Sequence, residues 1–119
     1  MPKLLIVDDE TDVREFARSY FKKRGIDVHI AAGGKQALEI IEKEKPDLVL
    51  LDVRMEEMTG LEVLRTLRVA ENHVQVIMVT GVEDDDALKE AKSLGVVQYI
   101  HKPLILEELE KVVLQQLQR

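Results

Sequence analysis

Five short apolar runs, each followed by a stretch whose apolar residues recur at helical spacing, limit what this chain can fold into more than any other feature. Residues 4–7 form the first run, and Val13, Phe16, Ala17, Tyr20 and Phe21 then mark one helical face until Gly25. Residues 27–31 read as the second strand, followed by a helix carrying Ala37, Leu38 and Ile41 that stops at Pro46. Residues 47–51 are the third strand, with Leu61, Leu64 and Leu67 striping the helix after Gly60. Residues 74–79 lead to a helix with Ala87, Leu88, Ala91 and Leu94 ending at Gly95. Residues 96–100 are the last strand, and Leu106, Leu109, Val113 and Leu117 mark the closing helix. Runs apolar on both faces and separated by amphipathic helices are what a parallel sheet covered on both sides requires. Right-handed crossovers leave few arrangements. The expected fold is an α/β, flavodoxin-like doubly wound (βα)5 with strand order 2-1-3-4-5.

With 119 residues, 45% of them hydrophobic, the chain makes one domain with a real core, residues 1–119. Aromatics are 3% and Trp is absent, so that core is aliphatic. The net charge of -6, with 17 Lys plus Arg against 23 Asp plus Glu and no basic run, argues against direct nucleic-acid binding. No Cys is present, which excludes disulfides and thiolate metal sites. The run at residues 4–7 is too short for a signal peptide or a membrane span, so a cytoplasmic protein with no membrane partner is expected.

The runs stop at residues that handle a phosphoryl group: Asp8 with Asp9, then Asp52, Thr80 and Lys102. In the order 2-1-3-4-5 the first strand lies beside the third, winding reverses there, and Asp8, Asp9 and Asp52 face one crevice. Three converging carboxylates demand a counter-charge. Hard oxygen ligands without His or Cys suit Mg²⁺, with Mn²⁺ as the alternative. The plain reading, in which Asp8 and Asp9 greet the positive end of the next helix, accounts for one acid but not for Asp52 on the neighbouring strand. Taken singly, Lys102 reads as a solvated surface lysine and Thr80 as a strand-end residue. Together an ammonium and a hydroxyl hold the phosphoryl oxygens that a metal leaves free, and Pro103 locks the turn that aims the ammonium, a cis bond being one way to do so.

With these residues in place the chain resembles the receiver domain of two-component response regulators, of the chemotaxis-receiver type, over essentially its whole length. Leu5-Ile6-Val7-Asp8-Asp9-Glu10 is similar to the family's first strand and acidic pair, and Pro46-Asp47-Leu48-Val49-Leu50-Leu51-Asp52 to its third strand and phosphoacceptor. Met55 through Gly60 resembles the following loop, Thr80-Gly81 the switch hydroxyl and its small neighbour, and Tyr99-Ile100-His101-Lys102-Pro103 the switch aromatic and lysine-proline turn. Ala32, Gly34, Ala37 and Leu38 fall in step with its second helix. The resemblance implies a phosphoacceptor switch that catalyses only its own phosphorylation and dephosphorylation. Asp52 takes a phosphoryl group from a sensor histidine kinase or a histidine phosphotransfer protein. Asp9, Asp52 and the backbone carbonyl of Arg54 hold Mg²⁺ directly, and Asp8 holds it through water. Lys102 and Thr80 bind the phosphoryl oxygens, and Thr80 and Tyr99 then bias the surface of the fourth helix, fifth strand and fifth helix toward an output partner that the sequence does not identify. Tyr99 reads equally well as a half-buried aromatic capping the sheet.

Some positions depart from the family pattern. Where it usually carries Pro-Gly after Met55, this chain has Glu56-Glu57, so a less constrained, more acidic loop is expected, and separately Thr59 replaces the Asp common before Gly60. Arg54 and Val82, two residues beyond Asp52 and Thr80, are expected to flank the phosphoryl group, Arg54 capping its oxygens and Val82 limiting water. Glu83-Asp84-Asp85-Asp86 reads as a solvated acidic helix start. His29, His73 and His101 lack ligand spacing, and Gly33-Gly34 lacks the lysine of a P-loop. An aspartyl-nucleophile phosphatase would place an acid at residue 54, a flavin binder would want phosphate-cradling donors where Asp8-Asp9-Glu10 stands, and a pseudo-receiver would lack one of the key residues, all of which are present.

Overall fold

The computed structural model describes residues 1–55, 57–81 and 85–118. Its elements alternate as β1 (Lys3–Val7), α1 (Thr11–Lys22), β2 (Asp27–Ala31), α2 (Gly34–Glu44), β3 (Leu48–Asp52), α3 (Gly60–Val69), β4 (Gln75–Thr80), α4 (Asp85–Ser93), β5 (Gln98–His101) and α5 (Leu106–Leu117). All four strand pairings are parallel, in the order β2-β1-β3-β4-β5, which is the flavodoxin-like order expected from the sequence.

Strand geometry explains why the runs had to be apolar throughout. Successive side chains point to opposite faces. Leu5, Val7, Val49, Leu51, Val76 and Met78 pack against α2, α3 and α4 through Ala37, Ile41, Val63, Leu64, Leu67 and Ala91. Their neighbours Leu4, Ile6, Leu48, Leu50 and Ile77 face the other way, onto Ala17 and Phe21 of α1 and Leu109 and Val113 of α5. Both faces of the three central strands are therefore dry, and what remains for solvent is the outer strands β2 and β5 and the two ends of the sheet.

Several local expectations are corrected. The third and fourth strands start and end one residue later than the apolar runs suggest, and the fifth starts at Gln98 and ends at His101, because ladder pairing extends past the last aliphatic residue. Asp52 pairs with Val79, and Thr80 with His101, so both polar residues are held by strand backbone rather than by loop. Helix α1 ends at Lys22, and the chain turns through Lys23 and Arg24 before Gly25 takes a left-handed φ of 78°. Phe16 does not join the core; it is 72% exposed, because the buried line of α1 runs through Ala17 and Phe21 and position 16 sits a further 100° or so around the helix.

Helix α2 closes with Lys45 at φ 50°, its N–H donating to the Ile41 carbonyl at 3.1 Å, a left-handed position that glycine occupies without strain. Lys45→Gly is expected to raise unfolding free energy by about 0.5–1 kcal/mol, after glycine's extra unfolded-state entropy is set against the relieved strain, read as a higher urea midpoint at unchanged slope.

Candidate functional site

The carboxyl end of the sheet gathers the residues that the sequence singled out. Beyond β1, the Asp8 N–H still donates to the Ala31 carbonyl at 3.2 Å, and its carboxylate turns back so that Oδ1 accepts the Glu10 N–H at 2.9 Å. Arg14, one turn into α1, donates Nη1 to the Asp8 carbonyl at 2.7 Å and Nη2 to Thr11 Oγ1 at 3.3 Å. On the adjoining β3, Asp52 Oδ1 accepts the Arg54 N–H at 3.2 Å. Lys102 reaches across from the end of β5, its Nζ 3.0 Å from Asp52 Oδ2 and 3.4 Å from Asp8 Oδ2. The Lys102 N–H donates to the Thr80 carbonyl at 2.7 Å, and the Lys102–Pro103 peptide is cis.

Asp8, Asp52 and Thr80 are 3%, 4% and 1% exposed, whereas Asp9 is exposed and its carboxylate has no partner among the described residues. Ligand oxygens of Asp8, Asp9 and Asp52 lie within 4.8 Å of one another. With one free carboxylate, two more partly committed to donors, and no nitrogen or sulfur ligand in the group, this donor set fits a hard divalent cation.

Burial is the main reason that the Asp52 carboxyl lies above the usual carboxylate range; the Lys102 hydrogen bond pulls it down, and the Asp8 charge pushes it further up. Burial works against the Lys102 ammonium as well. The Asp52 and Asp8 carboxylates outweigh it, and Lys102 is held above the ordinary lysine range. One ammonium thus faces two buried carboxylates, a pocket with excess negative charge that a further cation would relieve.

The loop after Asp52, expected to be less constrained, is tied down at both described ends. Thr59 forms a capping box with Glu62, its Oγ1 accepting the Glu62 N–H at 3.2 Å while the Thr59 N–H donates to Glu62 Oε1 at 3.1 Å. The Gly60 N–H donates to the Val53 carbonyl at 2.9 Å, and Met58 packs directly over Gly34, where an added Cβ would stand 2.7 Å from its sulfur. The box was legible as Thr followed three residues later by Glu. The contact of Gly60 with the strand and the bond made by Arg14 escaped the sequence reading, since a close backbone approach and a side chain bonding a carbonyl six positions back leave no periodic signal.

Arg54 is exposed. Tyr99 is half-buried against the α2–α4 face, edge-on to His101 at 5.6 Å between ring centroids, with its hydroxyl buried and unpartnered among the described residues. His29 stands beside Asp27 and Glu44 at the far end of the sheet, away from this site. Glu56, Val82, Glu83 and Asp84 lie outside the described residues; Asp85 opens α4 and Asp86 is exposed, as an acidic helix start requires. No helix of the described residues is long and apolar enough to cross a membrane.

Residues 4–114 match the model of the response regulator receiver domain. Sporulation initiation phosphotransferase F of Bacillus subtilis is 39% identical over 111 residues, covering 93% of this chain and 90% of that protein. Regulatory protein AtoC of Escherichia coli is 37% identical over 116 residues, 98% of this chain but 25% of AtoC, and response regulator MprA of Mycolicibacterium vanbaalenii is 36% identical over 90% of this chain and 46% of MprA. This chain therefore spans nearly all of one relative and less than half of the other two. Among solved structures, a CheY-like response regulator receiver domain protein from Methanospirillum hungatei superposes with a TM-score of 0.94 at 29% identity, covering 99% of this chain and 94% of that one. Chemotaxis protein CheY4 of Vibrio cholerae does so with a TM-score of 0.90 at 29% identity, covering 98% and 99%.

Proposed function

Because this chain belongs to the response regulator receiver domains of two-component systems, we propose that it is a phosphoacceptor switch in which Asp52 receives the phosphoryl group of a phosphohistidine on a sensor kinase or phosphotransfer protein. The observation that carries this reading is the convergence of Asp8, Asp9 and Asp52 within 4.8 Å, with Lys102 bridging two of them. One Asp52 oxygen attacks phosphorus as the phosphorus–nitrogen bond breaks, and the histidine nitrogen leaves with the bonding pair. The reaction asks the protein only for position and charge.

Asp52 meets the first demand because its backbone is strand and its Oδ1 is fixed by the Arg54 N–H. Lys102 meets the second, moving its ammonium from carboxylate to phosphoryl oxygen. Thr80 contributes its hydroxyl to the same oxygens, and the Tyr99 ring, on the neighbouring strand opposite Met78 and on the same sheet face as Thr80, follows that movement and carries it to the surface of α4, β5 and α5. Asp9, Asp52 and the Arg54 carbonyl would hold a divalent cation, Mg²⁺ or Mn²⁺, with Asp8 joining them through water, and the bound cation would supply the remaining neutralisation of phosphoryl charge. Arg54 flanks the phosphoryl group from the exposed side. Nucleic acid and membrane are not partners in this reading, and the output partner meets the α4–β5–α5 surface.

Intact mass measured after incubation with acetyl phosphate tests the proposal. One phosphoryl group is expected to add in Mg²⁺ and none in excess chelator. A protein that gains no mass from acetyl phosphate in Mg²⁺ or Mn²⁺, or from a phosphorylated kinase, would overturn it.

A further inference from the structure

The acidic turn between β1 and α1, like those before α2 and α5, has no side-chain cap at the helix N-terminus. Glu10 stands at the N-cap of α1 without a side-chain cap bond, in contrast to the full capping box at Thr59. Arg14 holds the turn with its side chain from inside the helix. Its Nη1 donates to the Asp8 carbonyl at 2.7 Å, holding the chain just before Asp9, while the Asp8 carboxylate closes the turn just after it by accepting the Glu10 N–H at 2.9 Å. Nη2 on Thr11 Oγ1 at 3.3 Å braces the guanidinium against the first turn of α1.

Asp9 needs that grip more than its neighbours do. Asp8 is buried and anchored through both oxygens, and Asp52 is anchored by Arg54 and Lys102. Asp9 is exposed, and among the described residues no side chain or backbone donor orients it, so the direction of its carboxylate is set by the backbone of the turn alone. Groups behind a metal ligand that orient it typically matter nearly as much as the ligand.

From this geometry we infer that Arg14 is the positioning residue of the divalent-cation site, holding the Asp8–Glu10 turn so that Asp9 stays directed at Asp52. The inference rests on the reading of the acidic pocket as a cation site. A guanidinium that were merely a nearby solvated charge would act in the opposite direction, since it repels a second cation and its removal would tighten binding.

The sign of the effect decides between the two. Mn²⁺ binding is to be titrated by electron paramagnetic resonance of the free ion, with thermal melting of the same samples, for wild type, Arg14→Ala, Arg14→Gln and Arg14→Lys. The dissociation constant is expected to rise about tenfold in Arg14→Ala. Arg14→Gln, which is neutral and too short to grip the carbonyl, should behave alike and decides the matter if the alanine variant does not fold. Arg14→Lys should recover part of the loss, because an ammonium still donates to the carbonyl but cannot also reach Thr11. Phosphorylation by acetyl phosphate is expected to need more Mg²⁺ in Arg14→Ala yet to approach the wild-type rate at saturation. Unchanged or tighter Mn²⁺ binding in a folded Arg14 variant would overturn the inference and leave the pocket intact. Failure of wild type to bind Mn²⁺ would overturn both.

Discussion

Asp52→Asn is expected to leave a folded protein that gains no phosphoryl mass from acetyl phosphate, and one that melts higher than wild type when no divalent cation is present. The first half follows from chemistry, because the amide that replaces the carboxylate carries no negative charge with which to displace the leaving group. The second half follows from burial. The folded state holds the Asp52 proton to higher pH than the unfolded chain does, for burial first, with the Asp8 charge adding to it against the opposing Lys102 hydrogen bond. A carboxyl whose folded value is raised binds more protons in the native state. Wild-type stability therefore falls as pH rises from the ordinary carboxylate range through the raised Asp52 value, and stays lower above it. The amide of the Asp52→Asn variant does not titrate, so its advantage should open across that window and be absent in acid below it. Cation reverses the order, since a concentration about ten times the dissociation constant adds about 1.4 kcal/mol to the form that binds it. Chemical denaturation with chelator and with Mg²⁺, at neutral and acid pH, reads all of this. An asparagine variant less stable than wild type in chelator at neutral pH would contradict the account of a negatively overloaded pocket.

Gly60→Ala carries the other large expected effect. An alanine Cβ there would lie 2.3 Å from the Asp52 carbonyl oxygen, 3.0 Å from its carbon and 3.1 Å from Val53 Cα. All three are backbone atoms of a central strand and of the residue that follows it, so no side chain can swing aside. The chain must shift where the Gly60 N–H meets the Val53 carbonyl, at a cost of about 3 kcal/mol. Because the residue pushed is Asp52 itself, phosphorylation should slow as well, by about 100-fold for a displacement near 1 Å. Gly33→Ala is the control: its Cβ would meet nothing within 4 Å and its backbone is extended. Equal melting points for the two variants would show that α3 does not press on Asp52.

These residues mark how far the chain could be read without coordinates. The doubly wound sheet was legible because parallel strands buried on both faces and helices buried on one leave different periodicities, and Leu48, Val49, Leu50 and Leu51 are all in the core. The acid cluster was legible because strand order sets Asp52 beside the consecutive pair Asp8-Asp9. Phe16 misled, since its spacing is helical but the buried face of α1 is narrower than the apolar one. The packing of Met58 on Gly34 at the described end of the loop after Asp52 left no mark in the sequence, because it joins residues from different elements.

Sequence alone determined which elements form, how they wind, and which carboxylates share an edge, because these follow from local periodicity and the handedness of crossovers, properties carried along the chain. Only the tertiary structure decided that Lys102 lies between Asp52 and Asp8, that Gly60 rests on the Asp52 backbone, and that Arg14 grips the turn behind Asp9. Those contacts join distant or out-of-register positions at ångström tolerance, and a linear pattern holds no information at that scale until the core has packed.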